Sequence, residues 1–207
     1  MKYAQKQNYE NLEKFIFEGT GEFGIPIISP ENTECMDFIG VNYAKTCKEP
    51  SGIGIHFFVD DYQFARFWNR PDNYLSMLAN FDCVFAPDFS TYTDFPKALQ
   101  IYNHYRKHWL AAYWQQKGIK VIPTISWSDE ASFKWCFDGE PTNSTVAVSS
   151  VGTQQGKVVR QRFINGYKEM LDRLNPTKIY FYGKVPQECQ GNIVQITAFQ
   201  DKFKLEG

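Results

Sequence analysis

Acidic side chains recur in this chain where apolar runs end. Asp60 and Asp61 close GIGIHFFVDD (52–61), Asp88 follows CVFAP with Ser90 and Tyr92 close behind, and Asp129 and Glu130 follow VIPTISWS. Carboxylates brought within one side-chain length raise one another's pKa. One then stays protonated as a proton donor while its partner acts as base or nucleophile, the division of labour in glycoside chemistry; the same grouping can hold a hard divalent cation. Asp88 is the central candidate, as nucleophile or general base, with Asp60 or Asp61 as its partner acid. FSTYTDF separates it from the next helix, so it stands too early to cap that helix, whereas Asp94 is placed to do so. The structural alternative for Asp88 is an Asx-turn onto the backbone of Ser90. Of Asp60 and Asp61, one reads as a helix cap and the other as pointing inward. Asp129 and Glu130 read first as caps, with Asp129 kept as a substrate-contact candidate.

These positions share one end of the elements that carry them. GIGIHFFVDD, DCVFAPD, IKVIPTISWS, NSTVAVSSVGT and KIYFYG read as strands, with MDFIGVNYA (36–44) before the series and NIVQITAF after it. Between them lie helical runs: YQFARFWNRPDNYLSMLANF, then PKALQIYNHYRKHWLAAYWQQKG with Pro96 suited to a first turn and Gly118 as a stop, a short DEASFKWCFDG, and QQGKVVRQRFINGYKEMLDRLN. Strands alternating with helices of this length predict an α/β fold with a mainly parallel sheet built from βα units. A doubly wound open sheet and a small or incomplete TIM-type barrel both fit, and a total of about seven strands favours the barrel-like version. One α/β domain over 1–207 is expected, partly irregular over 1–35 and again over 184–192.

In such folds ligands bind beyond the carboxyl ends of the strands. That rule adds Asn42, Ser126 and Tyr182 to the acids as substrate contacts, and Tyr92 and Trp127 as faces on which a base or sugar ring can stack. VSSVGTQQGK (148–157) offers a second element. Ser149, Ser150, Gly152 and Thr153 lead towards a helix, where backbone N–H groups and hydroxyls can converge on a phosphate with Lys157 or Arg160 as counter-charge. It is no Walker loop, since three residues separate Gly152 from Gly156 and Val158 follows Lys157; a plain hydroxyl-capped helix start fits as well.

Metal signals are sparse. The five cysteines are widely spaced with no CxxC pair, which argues against zinc, and Cys83 reads as a small core residue. His104 and His108 fall on one helical face, but no acidic or cysteine third ligand is evident nearby, so surface or packing roles are expected and no metal site is assigned. A net charge of −1 gives no general field for nucleic acid or an anionic membrane. The polar N-terminus lacks a signal-peptide core and no run approaches the roughly 18 apolar residues of a span, which points to a cytoplasmic protein with no membrane partner.

HFFVDDYQFARFWNRP, VFAPDFSTYTDFPKALQIYNHYRKHW, VIPTISWSDEASFKWCFDGEP and VAVSSVG, in that order, resemble an uncharacterised family found in phages, plasmids and other mobile elements of bacteria. The resemblance covers roughly residues 50–185 and implies a soluble intracellular protein of mobile-element context, with no activity attached. A looser likeness, of fold alone, is to barrel enzymes such as tRNA-guanine transglycosylases, whose strand-end aspartates do glycosidic chemistry; their zinc-binding cysteine cluster is missing here. Three functions compete. One is an enzyme cleaving or transferring a glycosidic or phosphate-linked group on a nucleotide-like or nucleic-acid substrate. Another is a non-catalytic binder or inhibitor that sequesters a host nucleotide signal or blocks a host protein. The third is a nucleic-acid-binding module using HYRKHW (104–109) and KVVRQR (157–162), which the near-neutral charge disfavours.

Overall fold

The computed structural model of the protein describes residues 10–202. A short antiparallel hairpin, β1 (Gly19–Thr20) and β2 (Ile25–Pro26), precedes the main sheet. Seven parallel strands follow: β3 (Asp37–Gly40), β4 (Ile53–His56), β5 (Cys83–Phe85), β6 (Val121–Ile122), β7 (Thr145–Ser149), β8 (Lys178–Tyr182) and β9 (Ile193–Ile196). They pair strictly in chain order, β3-β4-β5-β6 and β7-β8-β9. Pro123 has no N–H to donate, which stops the β6 ladder early. Pairing resumes one residue on through a parallel bridge between Thr124 and Ala147, so the two sheets join edge to edge. The order never reverses, as a doubly wound sheet would require.

Helices provide the crossovers. α1 (Asp61–Asn69) stops before Pro71, which bars Arg70 from helical geometry; a 3-10 turn (Pro71–Tyr74) and the short α2 (Leu75–Leu78) replace the continuous helix its sequence suggests. α3 (Lys97–Gln116) starts after Pro96 and ends at Gly118, whose φ of +81° suits glycine alone. A 3-10 turn (Glu130–Lys134) takes the place of the short helix expected after β6, α4 (Lys157–Leu174) links β7 to β8, and α5 (Phe199–Lys202) follows β9.

Alternation along the strands separates two kinds of core. Outward residues meet helices: Ile55 and Val84 pack with Phe64, Phe67, Trp109 and Trp114, while Val146, Ile179 and Phe181 pack with Phe163, Tyr167 and Met170. Inward residues meet one another. Phe38, Cys83, Phe85, Ile122, Ala147, Tyr180 and Ile196, drawn from six of the seven strands, form one cluster, with Phe58 from just beyond β4 packed against it. The Phe38 and Tyr180 rings lie 4.6 Å apart although their strands are five places apart in the order, so the sheet is strongly concave on this side. Cys83 lies within this cluster, where contact with the Cys35 thiol and burial push its own thiol pKa up, in keeping with a core residue. Among the described residues, no helix is long and apolar enough to cross a membrane.

Candidate functional site

The carboxyl ends of the parallel strands open into a cleft of about 940 Å³, and its lining brings together Asn42 after β3, Asp60 and Asp61 after β4, Asp88, Ser90 and Tyr92 after β5, Ser149 at the end of β7 and Tyr182 at the end of β8. A neighbouring cleft of about 410 Å³ shares Asp88, Ser90, Tyr92 and Ser149 and adds Ser126, Trp127, Gly152, Thr153 and Arg162. Asp88 stands where the two meet.

The three acids are held differently. Asp61 opens α1, and its carboxylate accepts from Ser90 Oγ at 2.9 Å and from Ser90 N at 3.2 Å. This bond fixes the loop after β5 against α1. It also takes the N–H to which Asp88 would have turned, so no Asx-turn forms. Asp60 occupies the N-cap position of α1 but makes no side-chain capping bond. Among the described residues, the half-buried Asp88 carboxyl has no hydrogen-bond partner. Burial pushes its pKa up to about 7; the Lys107 ammonium opposes that rise and the Asp61 charge adds to it.

An aromatic floor closes the bottom of the larger cleft. Tyr182 stacks on Phe58 with centroids 4.9 Å apart, and the His56 ring lies 4.7 Å from Tyr182. Phe199 N donates to the Tyr182 hydroxyl at 3.0 Å. Tyr92 is 62% exposed at the rim, edge-on to Phe95. Trp127 packs against Phe163 and over Gly166, where a Cβ would stand 2.2 Å from its Nε1, so its ring is fixed by α4.

A family model described as a domain of unknown function, DUF4417, matches residues 17–200. The chain belongs to the DUF4417 family. It is 37% identical over 179 residues to the Gene 1 protein of Mycobacterium phage L5, covering 83% of this chain and 76% of that one. To the Gene 1 protein of Mycobacterium phage D29 it is 42% identical over 135 residues, 65% of this chain and half of that relative's length. No solved structure matches. The phage relatives agree with the resemblance carried by the sequence phrases.

In this DUF4417 chain several expected site residues stand apart from the clefts. Asp129 caps the turn after β6, accepting from Ser132 N at 3.3 Å, and Glu130 accepts from Asn165. Ser150 is buried, its hydroxyl donating to the Lys184 carbonyl at 2.7 Å, so of the expected phosphate turn only Ser149, Gly152 and Thr153 reach the clefts. Lys157, the first residue of α4, lines neither cleft; the cation that does is Arg162. Gly156, not a hydroxyl, occupies the N-cap of α4, with no side-chain bond. The basic phrase HYRKHW is largely internal: His104, Lys107 and His108 are buried, and Arg106 lies over the Phe89 ring at 4.1 Å, which removes it as a nucleic-acid surface. His56 and Lys107 escaped the sequence reading. His56 was legible as the one ionisable group inside GIGIHFFV, whereas nothing local marks Lys107 as internal.

Proposed function

We propose that the strand-end cleft cleaves or transfers a glycosidic or phosphate-linked group on a nucleotide-like substrate, with Asp88 as the proton-transferring residue. The observation that carries this reading is the Asp88 carboxyl itself, which has no hydrogen-bond partner among the described residues, titrates near neutrality, and stands where both clefts meet. A group with a pKa near the working pH is present in both protonation states, which suits general acid–base catalysis. Below pH 7 Asp88 gives its proton to the leaving atom of the substrate. Asp60, exposed and not engaged in capping, takes a proton from the attacking water, while Asp61 holds the loop in place. The floor of Phe58, His56 and Tyr182 favours a planar ring, and Ser149, Thr153 and Arg162 around the second cleft favour a phosphate.

We read the seven strands as an incomplete barrel of TIM type. Support comes from the strictly sequential strand order, from the inward cluster that draws on six of the seven strands, and from the Phe38–Tyr180 contact across it. Placement of the acids at the carboxyl ends of the strands agrees with where such folds do their chemistry.

The test incubates the parent protein and Asp88→Asn with nucleosides, nucleotides and single-stranded oligonucleotides, followed by chromatography, with a thermal-shift screen of the same compounds. Turnover by the parent that falls about 10²-fold or more in Asp88→Asn, with the ligand-induced shift retained, supports the proposal. A ligand-induced shift without turnover by the parent assigns the cleft to sequestration instead.

A further inference from the structure

Helix α3 carries a polar stripe that faces inward. His104, Lys107 and His108 are each at most 2% exposed, and ionisable groups leave water only where partners meet them. Their partner arrives from the segment after the Glu130–Lys134 turn. Gly139, with φ at +75°, lets the chain pass so closely that a Cβ there would stand 2.4 Å from the Pro26 carbonyl oxygen and 2.8 Å from His108 Nδ1. That approach delivers Glu140, whose side chain is fully buried. Its Oε1 accepts from Lys107 Nζ at 2.7 Å and lies 2.9 Å from His108 Nε2.

The protein's own donors do not complete this group. His108 Nδ1 faces the Pro26 carbonyl at 2.8 Å, and a carbonyl only accepts, so this nitrogen carries the proton and a neutral ring turns the lone pair of Nε2 towards Glu140. His104 Nε2 donates in the same way to the Asp138 carbonyl at 3.2 Å, leaving its other nitrogen unprotonated. Glu140 Oε2 is buried and, among the described residues, has no hydrogen-bond partner. One potential ligand atom from each of His104, His108 and Glu140 lies within 4.8 Å of the others.

We propose that His104, His108 and Glu140 bind a divalent first-row transition ion, zinc by its ligand set, as a buried structural centre. Two neutral imidazoles and a carboxylate form a zinc donor set, and imidazole donors argue against magnesium or calcium. Each imidazole also gives its second ring nitrogen to a backbone carbonyl, the outer contact that fixes tautomer and orientation in metal-binding histidines. Lys107 is held by Oε1 and by the Thr124 carbonyl at 2.7 Å, which leaves Oε2 for the ion. None of the three ligands lines either cleft, so the ion ties α3 to residues 138–140 and to β2 and does not meet substrate.

The test uses the full chain. Metal content is measured by mass spectrometry on protein purified without chelator, and chelator-treated protein is then titrated with Zn²⁺ and with Co²⁺. The expected result is one equivalent of zinc, a visible absorption band with Co²⁺, and a melting temperature that falls by several degrees on chelation and recovers on adding zinc. Glu140→Gln should weaken zinc binding by about 100-fold or more, and His56→Ala, outside the cluster, should leave it unchanged. If Glu140→Gln does not fold, the Co²⁺ spectrum and zinc stoichiometry of the parent decide. A parent that takes up no zinc, gives no Co²⁺ band and melts identically with and without chelator overturns the proposal.

Discussion

Asp88 and Glu140 feel the same ammonium, that of Lys107, and titrate in opposite directions. Burial alone would raise both. Glu140 accepts directly from Lys107, and that contact holds its carboxyl below the ordinary value. Asp88 makes no such contact; Lys107 acts on it only through space, burial wins, and the pKa climbs to about 7. The difference shows that a carboxyl shielded from water keeps a raised pKa when its counter-charge is engaged elsewhere. Two acceptors, Glu140 and the Thr124 carbonyl, keep Lys107 from reaching Asp88, and the cleft inherits a carboxyl of near-neutral pKa.

Removing the shared ammonium has the largest expected effect. In chelator-treated protein, Lys107→Met strips Glu140 of its direct donor in a fully buried site, and should cost about 3–5 kcal/mol in urea unfolding. It should also raise the Asp88 pKa further, measurable by carboxyl NMR. A loss under about 1 kcal/mol would mean that Glu140 is not held as a charge, and the contrast with Asp88 would fail.

Asp88→Asn should act in the other direction. A carboxyl with a folded pKa near 7 and an unfolded value near 4 binds its proton more tightly in the folded state. Its contribution is therefore most favourable below about pH 4, is lost as pH rises between the two values, and remains a penalty above 7. The asparagine variant should be more stable than the parent at pH 8, by about 1–2 kcal/mol or a few degrees of melting temperature, with the gain shrinking to nothing near pH 4. A variant that melts several degrees lower at pH 8 would make Asp88 a turn-forming residue.

The smallest effect belongs to Asp61→Asn. The amide oxygen can still accept from Ser90, so stability should fall by only about 1 kcal/mol. With the like charge gone, the Asp88 pKa should move down towards its ordinary value. A pH titration that leaves Asp88 in place would show burial to be the whole cause of its elevation.

The sequence exposed the cleft better than the cluster behind it, for physical reasons. Asp88 was legible because Pro87 ends a run of apolar residues and no helix start lies near enough to use the acid. Asp129 was legible as a cap from its place before the turn, but place alone was not enough: Asp60 stands at the N-cap of α1 without a capping bond, and α3, which Asp94 was read as capping, has Pro96 at its N-cap and no side-chain cap. The polar stripe of α3 was not, since His104, Lys107 and His108 at helical spacing look like a solvated face until Glu140, more than thirty residues on, is brought against them by Gly139. Ser150 misled for a similar reason: its hydroxyl is consumed by the Lys184 carbonyl, which no local pattern announces. The strand read in IKVIPTISWS was recovered in place but shortened, because Pro123 interrupts a ladder that hydropathy alone would continue.

The strict chain order of the seven strands bears on how the protein is made. As synthesis proceeds from the N-terminus, every new strand emerges beside one already present, and none must wait for a partner encoded later. The inner face is different. Phe38 is among the first of its residues to leave the ribosome, yet Tyr180 and Tyr182, which cover Phe38 and Phe58, come more than 120 residues later. Until β8 is released, the growing chain carries an uncovered aromatic surface, so a chain stalled before residue 178 should depend on chaperones far more than the finished protein does.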